Sequence, residues 1–158
     1  MLKLDFGAGD IRTEGFKAVD VSDKSNPDYV WDITNIPFPK EWEGADEVRM
    51  DNIAEHIDPK TLIKVINEIN RILIPGGKLW IRVPLLTCTP DGIYRAFTDP
   101  THVNYFTMGT FDYWDDAVNA AGINRYRQFG KDYGIIPWKR IRNEEWGSNF
   151  LIVELIKV

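Results

Sequence analysis

The residues best suited to chemistry lie in a loop near the start of the chain, residues 5–9, which read Asp-Phe-Gly-Ala-Gly. The apolar run at residues 2–6 predicts a short strand, so the glycines follow a strand directly. Glycines at alternate positions let a ligand approach the backbone and leave amide groups free to bind it. A Gly-x-Gly pair is a weak signal by itself, and the residues that follow it must support the interpretation.

Two aspartates end the next two predicted strands. Residues 16–21 form a strand pattern that closes around Asp20, and residues 29–32 form another that ends at Asp32. A carboxylate at the first position can accept hydrogen bonds from both hydroxyls of a ribose, and one at the second can accept an amino hydrogen of an adenine. Either aspartate alone could simply cap a turn. The loop and both aspartates in this order favour a nucleoside site.

The first strands must bring these groups to one place. A fourth run, residues 47–50, leads into Asp51 and Asn52. Because the first strands end at glycine or acidic residues, we expect parallel strands whose carboxyl ends meet at one edge, where open α/β sheets bind ligands. The connections at residues 7–15 and 22–28 are too short for packed crossover helices, so loops or single helical turns are expected there.

These short connections leave part of one sheet face without a helix to cover it. Residues 36–42 are rich in aromatic side chains and proline. We expect either this stretch or a second subunit to cover that face. A homodimer is therefore predicted as a separate hypothesis.

Regular helices are predicted farther along the chain. The clearest begins after Asp58, an acidic cap followed by proline, and ends at the Pro-Gly-Gly of residues 75–77. A strand follows at residues 78–83. A second helix is predicted over residues 111–121, with Thr110 as its cap and a glycine after its end.

The chain closes with two strand patterns, residues 136–142 and 150–158, joined through residues 146–149. Glycine in so short a connection predicts a hairpin. With no repeat and no linker between these elements, residues 1–158 are interpreted as one α/β domain.

Five segments together resemble the class I S-adenosylmethionine-dependent methyltransferases. Residues 4–9 are similar to the first motif of that family, residues 19–21 to its ribose-binding strand end, and residues 32–33 to its adenine-edge motif. Residues 51–56 resemble the segment after its fourth strand. Residues 68–79 are similar to its helix, Pro-Gly-Gly turn and fifth strand.

The resemblance implies a Rossmann-like sheet of seven strands, mostly parallel with an antiparallel last strand, and with reduced helices after the first strands. It also implies S-adenosyl-L-methionine as methyl donor, with S-adenosyl-L-homocysteine as product. Carried over residue by residue, the family motifs place the cofactor on Asp5, Phe6, Gly7, Ala8, Gly9, Asp20, Val21, Asp32, Ile33, Asp51 and Asn52.

The chain departs from the family pattern after the first motif. Asp10 stands where a third glycine is common, and the helix that usually faces the methionine part of the cofactor is missing from the pattern. We expect a partner subunit or the aromatic loops to serve as a lid. The alternative is that the chain retains a cofactor loop but has lost methyltransferase activity.

Catalytic candidates come from two histidines and one aspartate. A stretch similar to residues 99–102, Asp-Pro-Thr-His, occurs in small methyltransferases. His102 could act as base on a substrate hydroxyl or amine, and His56 could do so from the other side of the pocket. Asp51 could contact the methionine amino group or orient the substrate. The alternative is that each histidine only orders its own segment.

Composition narrows the classes of function. The net charge of −5, from 24 acidic and 19 basic residues, disfavours general binding to nucleic acid. One cysteine, Cys88, and two histidines disfavour a disulfide or a His-rich zinc site, so no metal is predicted. The sequence shows neither an apolar run long enough to cross a bilayer nor a signal peptide, so a cytoplasmic protein without a membrane partner is expected.

The leading hypothesis is a methyltransferase acting on a small molecule. A non-catalytic module of the same fold that binds a partner is the first alternative. A nicotinamide or nucleotide-sugar enzyme is disfavoured because the glycine loop does not open into a helix. A nucleic-acid methyltransferase is disfavoured because an Asn-Pro-Pro-Tyr type segment is lacking.

Overall fold

The computed structural model describes residues 1–147 and 149–158. Two regular helices, α1 (Pro59–Ile72) and α2 (Pro90–Thr98), accompany a sheet. The strands of the sheet are β1 (Lys3–Phe6), β2 (Lys17–Asp20), β3 (Tyr29–Val30), β4 (Ala45–Asp51), β5 (Leu73–Pro84), β6 (Trp138–Trp146) and β7 (Phe150–Lys157).

The seven strands lie in the order β3-β2-β1-β4-β5-β7-β6. The first five strands in this order are parallel to one another, and β7 runs antiparallel to both β5 and β6. The predicted Rossmann-like sheet, mostly parallel with an antiparallel last strand, is confirmed. Its parallel alignment carries the ends of β1, β2 and β4 to one edge, as the sequence predicts.

The first two connections contain no packed helix. Between β1 and β2 the chain runs as turns and loop, and between β2 and β3 it makes one turn of 3-10 helix at Asp23–Ser25. The side chain of Ser22 caps that turn by accepting from the Lys24 N–H. The expected reduction of the helices after the first strands is therefore confirmed.

An aromatic cluster covers this part of the sheet. Trp42 is fully buried, and its ring lies 5.4–6.1 Å from the rings of Phe6, Tyr29, Trp31 and Phe38. Aromatic rings at such distances bury large apolar areas and gain from their mutual orientation. Residues 36–42 thus fold over the sheet within the same chain, and the homodimer stays a separate prediction.

Helix α1 follows the sequence pattern at its start. The side chain of Asp58 accepts hydrogen bonds from the backbone N–H groups of Lys60 and Thr61, and Pro59 occupies the first turn. Its apolar face is buried against the sheet. The helix ends at Ile72, earlier than predicted, because Leu73 already pairs with Ala45 at the start of β5.

The predicted helix over residues 111–121 is wrong. Only a single turn, Thr110–Tyr113, forms there, because the carbonyl of Trp114 accepts the Trp138 N–H at 2.7 Å and the chain is drawn toward β6. Instead α2 forms, where Thr89 caps its start and is followed by proline. That Thr-Pro pair was the missed signal. Within the described residues, none of the helices has the length and apolarity needed to cross a membrane.

The predicted hairpin is confirmed for its two strands. β6 and β7 pair antiparallel from Trp138 opposite Lys157 to Trp146 opposite Phe150. Ser148, in the predicted connection, lies outside the described residues. The hairpin places Phe150 beside the end of β5, at the edge where the parallel strands finish.

Replacing Trp42 with alanine tests the aromatic cluster. We expect the free energy of unfolding to fall by about 3–5 kcal/mol, because a fully buried indole leaves a large cavity. Trp146→Ala is the matched control, since that indole is 48% exposed, and we expect it to cost less than about 1 kcal/mol. Urea denaturation followed by circular dichroism measures both. Equal losses for the two variants would contradict the structure.

Candidate functional site

Three adjoining cavities open at the carboxyl edge of the parallel strands. The aspartate cavity, about 200 Å³, contains Asp20 and Asp32. The arginine cavity, about 290 Å³, contains Arg49 and Arg82. The histidine cavity, about 550 Å³, contains both histidines. Shared wall residues join each pair of cavities, namely Gly7, Asn52 and His56. The three cavities therefore form one continuous groove.

Gly7 shapes the junction of the first two cavities. Its φ is +68°, and a Cβ at this position would lie 2.9 Å from two side-chain carbons of Ile53. Only glycine avoids both the strained backbone and the clash. The N–H of Gly7 donates to the carbonyl of Val19 at 2.8 Å, which ties the loop to the end of β2.

Both predicted aspartates hold their own loops and face the same cavity. Asp20 accepts hydrogen bonds from the N–H groups of Gly9 and Ser22, each at 2.9 Å. Asp32 accepts from the N–H and the hydroxyl of Thr34 at 2.8 and 2.7 Å. A carboxylate has about four acceptor positions, so each retains acceptor capacity for a ligand. Capping a turn and facing a ligand are compatible roles here.

The remaining residues of the family motifs fall into two groups. Val21 and Ile33 line the aspartate cavity, whereas Ala8 and Gly9 line the arginine cavity. Phe6 lines neither, because its fully buried side chain packs in the aromatic cluster. Phe6 therefore supports the glycine loop of residues 7–9 from within the hydrophobic core.

Five charged residues line the arginine cavity, and four of them, Asp5, Asp51, Arg49 and Arg82, lie at the ends of strands or within them. Asp51 accepts from Arg82 Nε at 2.6 Å, from the Arg49 guanidinium, and from the amide of Asn52 at 3.1 Å. Asp5 lies 3.7 Å from Arg49 Nε. Burial raises the pKa of Asp5, against the opposing effects of the Thr13 hydroxyl and Arg49. The cavity thus offers carboxylates and guanidiniums side by side.

Sequence reasoning identified Asp5 and Asp51 of this cavity as site residues and missed the two arginines. Arg49 lies two residues before Asp51 on β4, so the alternation of a strand places both on one face. That spacing was an available signal. Arg49 Nε is buried and has no hydrogen-bond partner among the described residues, a costly state unless a ligand accepts from it.

The histidine cavity brings His56 and His102 together, with ring centroids 4.9 Å apart. His56 Nδ1 lies 2.9 Å from the Thr101 hydroxyl, which donates to Asp99 at 2.6 Å. A hydroxyl has one hydrogen, so the nitrogen must be the donor in the first contact. The neutral ring of His56 therefore keeps its lone pair on Nε2.

The same assignment follows for His102. Its Nδ1 lies 3.0 Å from the carbonyl of Ala96, which can only accept, so Nε2 again holds the lone pair. The N–H groups of Val103 and Asn104 both donate to the carbonyl of Glu55, at 2.9 and 3.1 Å. These bonds fasten the loop of residues 99–107 to the segment that holds His56.

Glu55 is the residue of this cavity that sequence reasoning passed over. The residue is 1% exposed, and within the part of the chain that the structure describes its Oε2 has no hydrogen-bond partner. Burial raises the pKa of the Glu55 carboxyl to about 7, and the charges of Asp51 and Asp99 act in the same direction. Its place beside His56 in the motif of residues 51–56 was the only signal.

Solved structures share this architecture at low sequence identity. A SAM-dependent methyltransferase from Archaeoglobus fulgidus matches with a TM-score of 0.62 and 14% identity, over 98% of this chain and 85% of that one. The N-methyltransferase NodS from Bradyrhizobium japonicum, solved with S-adenosyl-L-homocysteine, matches with a TM-score of 0.59 and 12% identity, over 98% and 76%. A SAM-dependent methyltransferase from Aquifex aeolicus matches with 0.55 and 18%, over 100% and 82%.

Comparison of sequences adds no relative. Protein-family models give no match, and curated proteins give none. At these identities the structural matches establish the fold alone. The chain has the fold of the class I S-adenosylmethionine-dependent methyltransferases.

Proposed function

We propose that the chain is an S-adenosylmethionine-dependent methyltransferase that acts on a small molecule. The cofactor would occupy the aspartate and arginine cavities, and the methyl acceptor would occupy the histidine cavity. One observation supports this most strongly: Asp20 and Asp32 face one cavity, which Gly7 joins to a charged one. The fold is a supporting argument, because function depends on the site and not on the fold alone.

The aspartate cavity suits an adenosine. Asp20 is anchored to the glycine loop through Gly9, and its free acceptor positions can take the ribose hydroxyls. Asp32 can accept from the adenine amino group, while Ile33 and Ile53 supply apolar contact with the ring. These side chains hold the nucleoside and do no chemistry.

The arginine cavity suits the methionine end of the cofactor, which carries one carboxylate and one ammonium. The unpartnered Nε of Arg49 can donate to the carboxylate. Asp5 offers a buried carboxylate to the ammonium in the same cavity. Asp51 is already held by Arg49 and Arg82, so we assign it a positioning role and not that of a base.

The histidine cavity is the place for the acceptor. S-adenosylmethionine, when bound, supplies a methyl group already activated by its sulfonium, so the protein mainly has to align the two reactants. His56 and His102 present Nε2 lone pairs that can accept a hydrogen bond from an acceptor hydroxyl or amine and take its proton.

The cytoplasmic location, the single domain and the homodimer remain predictions.

Methyl transfer tests the proposal directly. The full chain is incubated with S-adenosylmethionine carrying a labelled methyl group and with pools of small hydroxyl and amine compounds. We expect protein-dependent label in one pool. Calorimetry with S-adenosyl-L-homocysteine is run alongside it. Absence of both binding and transfer would overturn the proposal in favour of a non-catalytic module.

Replacing Asp20 should weaken cofactor binding selectively. We expect Asp20→Ala to raise the Kd for S-adenosyl-L-homocysteine about 10- to 100-fold, because hydrogen bonds to a carboxylate contribute about 1.5–3 kcal/mol. Asp23→Ala is the matched control, since Asp23 is exposed on the neighbouring turn. Calorimetry gives each Kd, and thermal melting verifies folding. An unchanged Kd for Asp20→Ala would contradict the assigned ribose contact.

Replacing Gly7 should distort the groove more than replacing another left-handed glycine. Gly7→Ala meets both a φ of +68° and the Ile53 side chain, whereas Gly15→Ala meets only a φ of +81° with no atom within 4 Å. Left-handed strain alone costs about 1–3 kcal/mol. We expect both variants to lose stability and only Gly7→Ala to lose affinity for S-adenosyl-L-homocysteine, by at least about tenfold. Equal affinities would show that the Gly7 turn does not shape the site.

A further inference from the structure

We propose that Glu55, His56 and His102 form a binding site for a divalent transition-metal ion at the wall of the histidine cavity. One donor atom from each of the three side chains lies within 4.8 Å of the other two. Two imidazole nitrogens and one carboxylate oxygen form the donor set of many zinc and iron sites in enzymes. The sequence alone predicted no metal, because the chain has only two histidines and one cysteine. The fold brings His102 to the adjacent pair Glu55 and His56.

The hydrogen bonds around the two imidazoles match those of metal-binding histidines. Such a histidine almost always donates its other N–H to a carbonyl, a carboxylate or a comparable acceptor. His102 Nδ1 donates to the Ala96 carbonyl, and His56 Nδ1 donates to Thr101, which donates in turn to Asp99. Each Nδ1 is thereby engaged in a hydrogen bond, which leaves the Nε2 of each ring as the nitrogen that would bind a metal.

The buried carboxylate of Glu55 supplies an independent argument. Its Oε2 is enclosed and unpartnered, and the residue is 1% exposed. A buried carboxylate oxygen without a partner costs free energy that a hydrogen bond or a cation would recover. The nearby charges of Asp51 and Asp99 add negative potential, opposed by Arg82. A cation beside the two imidazoles would balance this group.

The three donors would need only a small adjustment. Metal–ligand bonds of about 2.0–2.2 Å place neighbouring ligands roughly 3–3.5 Å apart, so donor separations of up to 4.8 Å would shorten by roughly 1.5 Å. His56 is exposed, so its ring can make most of this adjustment. The remaining coordination positions would face the cavity that Tyr94 and Phe150 also line.

The donor set favours Zn²⁺ over Mg²⁺. Imidazole nitrogens suit zinc and its neighbours in the first transition row, whereas Mg²⁺ demands oxygen ligands in octahedral geometry. Three protein ligands with open positions are the pattern of catalytic zinc sites. We therefore propose an ion of the zinc type, and selective binding of Mg²⁺ would contradict this proposal.

The metal site indicates the class of the methyl acceptor. A metal ion with open positions binds a hydroxyl oxygen and promotes loss of its proton to solvent, which makes the oxygen more nucleophilic. The inferred acceptor is a small molecule that binds through a hydroxyl group. This assignment of the acceptor rests on the proposed function, whereas the metal site does not.

Calorimetric titration of the full chain with Zn²⁺ tests the site. We expect one ion per chain, and binding at least about tenfold weaker in His102→Asn and in Thr101→Val, which removes an outer hydrogen bond. Thr98→Val is the matched control, since Thr98 lines the same cavity outside the cluster. Cys88→Ser controls for the exposed thiol. Binding that survives His102→Asn, or is lost in Cys88→Ser, would overturn the proposal.

Nuclear magnetic resonance provides a test on the unaltered chain. The protein contains only two histidines, so long-range ¹H–¹⁵N spectra of the imidazoles hold two sets of signals. We expect Zn²⁺ to shift the Nε2 signals of both rings with one common midpoint, and Mg²⁺ to shift neither. A zinc-induced shift of one ring alone, or of neither, would show that the two rings do not share an ion.

Different results would overturn the metal site and the methyltransferase function. Zinc binding without binding of S-adenosyl-L-homocysteine would retain the metal site and remove the methyltransferase assignment. Cofactor binding and methyl transfer in a chain that binds no Zn²⁺ would retain the enzyme, remove the metal, and leave the histidines as bases.

Discussion

The close approach of the Gly7 backbone to the Ile53 side chain is the constraint on which the groove depends. A side chain at position 7 would collide with Ile53, and the left-handed backbone there turns the chain at the end of β1. The turn lets the Gly7 N–H reach Val19 and the Gly9 N–H reach Asp20. Two parallel strands, one loop and one carboxylate are thereby held in a single arrangement that needs no helix.

An aromatic cluster replaces the helices that a larger protein would pack against this part of the sheet. Trp42 contacts rings contributed by β1, by β3 and by the stretch after β3. Aromatic side chains bury more area per residue than aliphatic ones, so a short segment can cover the face. The cost is that loops form the walls of the groove, and each loop must be held by hydrogen bonds of its own. Asp20, Asp32 and Asp99 all do this.

Charge is distributed along the groove in a way that divides it into three parts. The aspartate cavity offers hydrogen-bond acceptors, and the arginine cavity offers both positively and negatively charged side chains. The histidine cavity combines two imidazole rings with a buried carboxyl group. Asp51 lines the arginine cavity and is held there by Arg49 and Arg82. Burial raises the pKa of the Glu55 carboxyl to about 7, and the charges of Asp51 and Asp99 act in the same direction.

Local patterns were sufficient for the strands, for α1 and for the residues at the strand ends, since alternation, caps and glycine turns are encoded within a few neighbouring positions. The pattern failed at residues 111–121, where a hydrogen bond between Trp114 and the distant Trp138 prevents a helix. The partnership of Arg49 and Arg82 with Asp51, and that of Glu55 with two histidines, depends on strand order and on one long loop. Spacing along a chain carries no record of such neighbours, because they meet only once the sheet has formed.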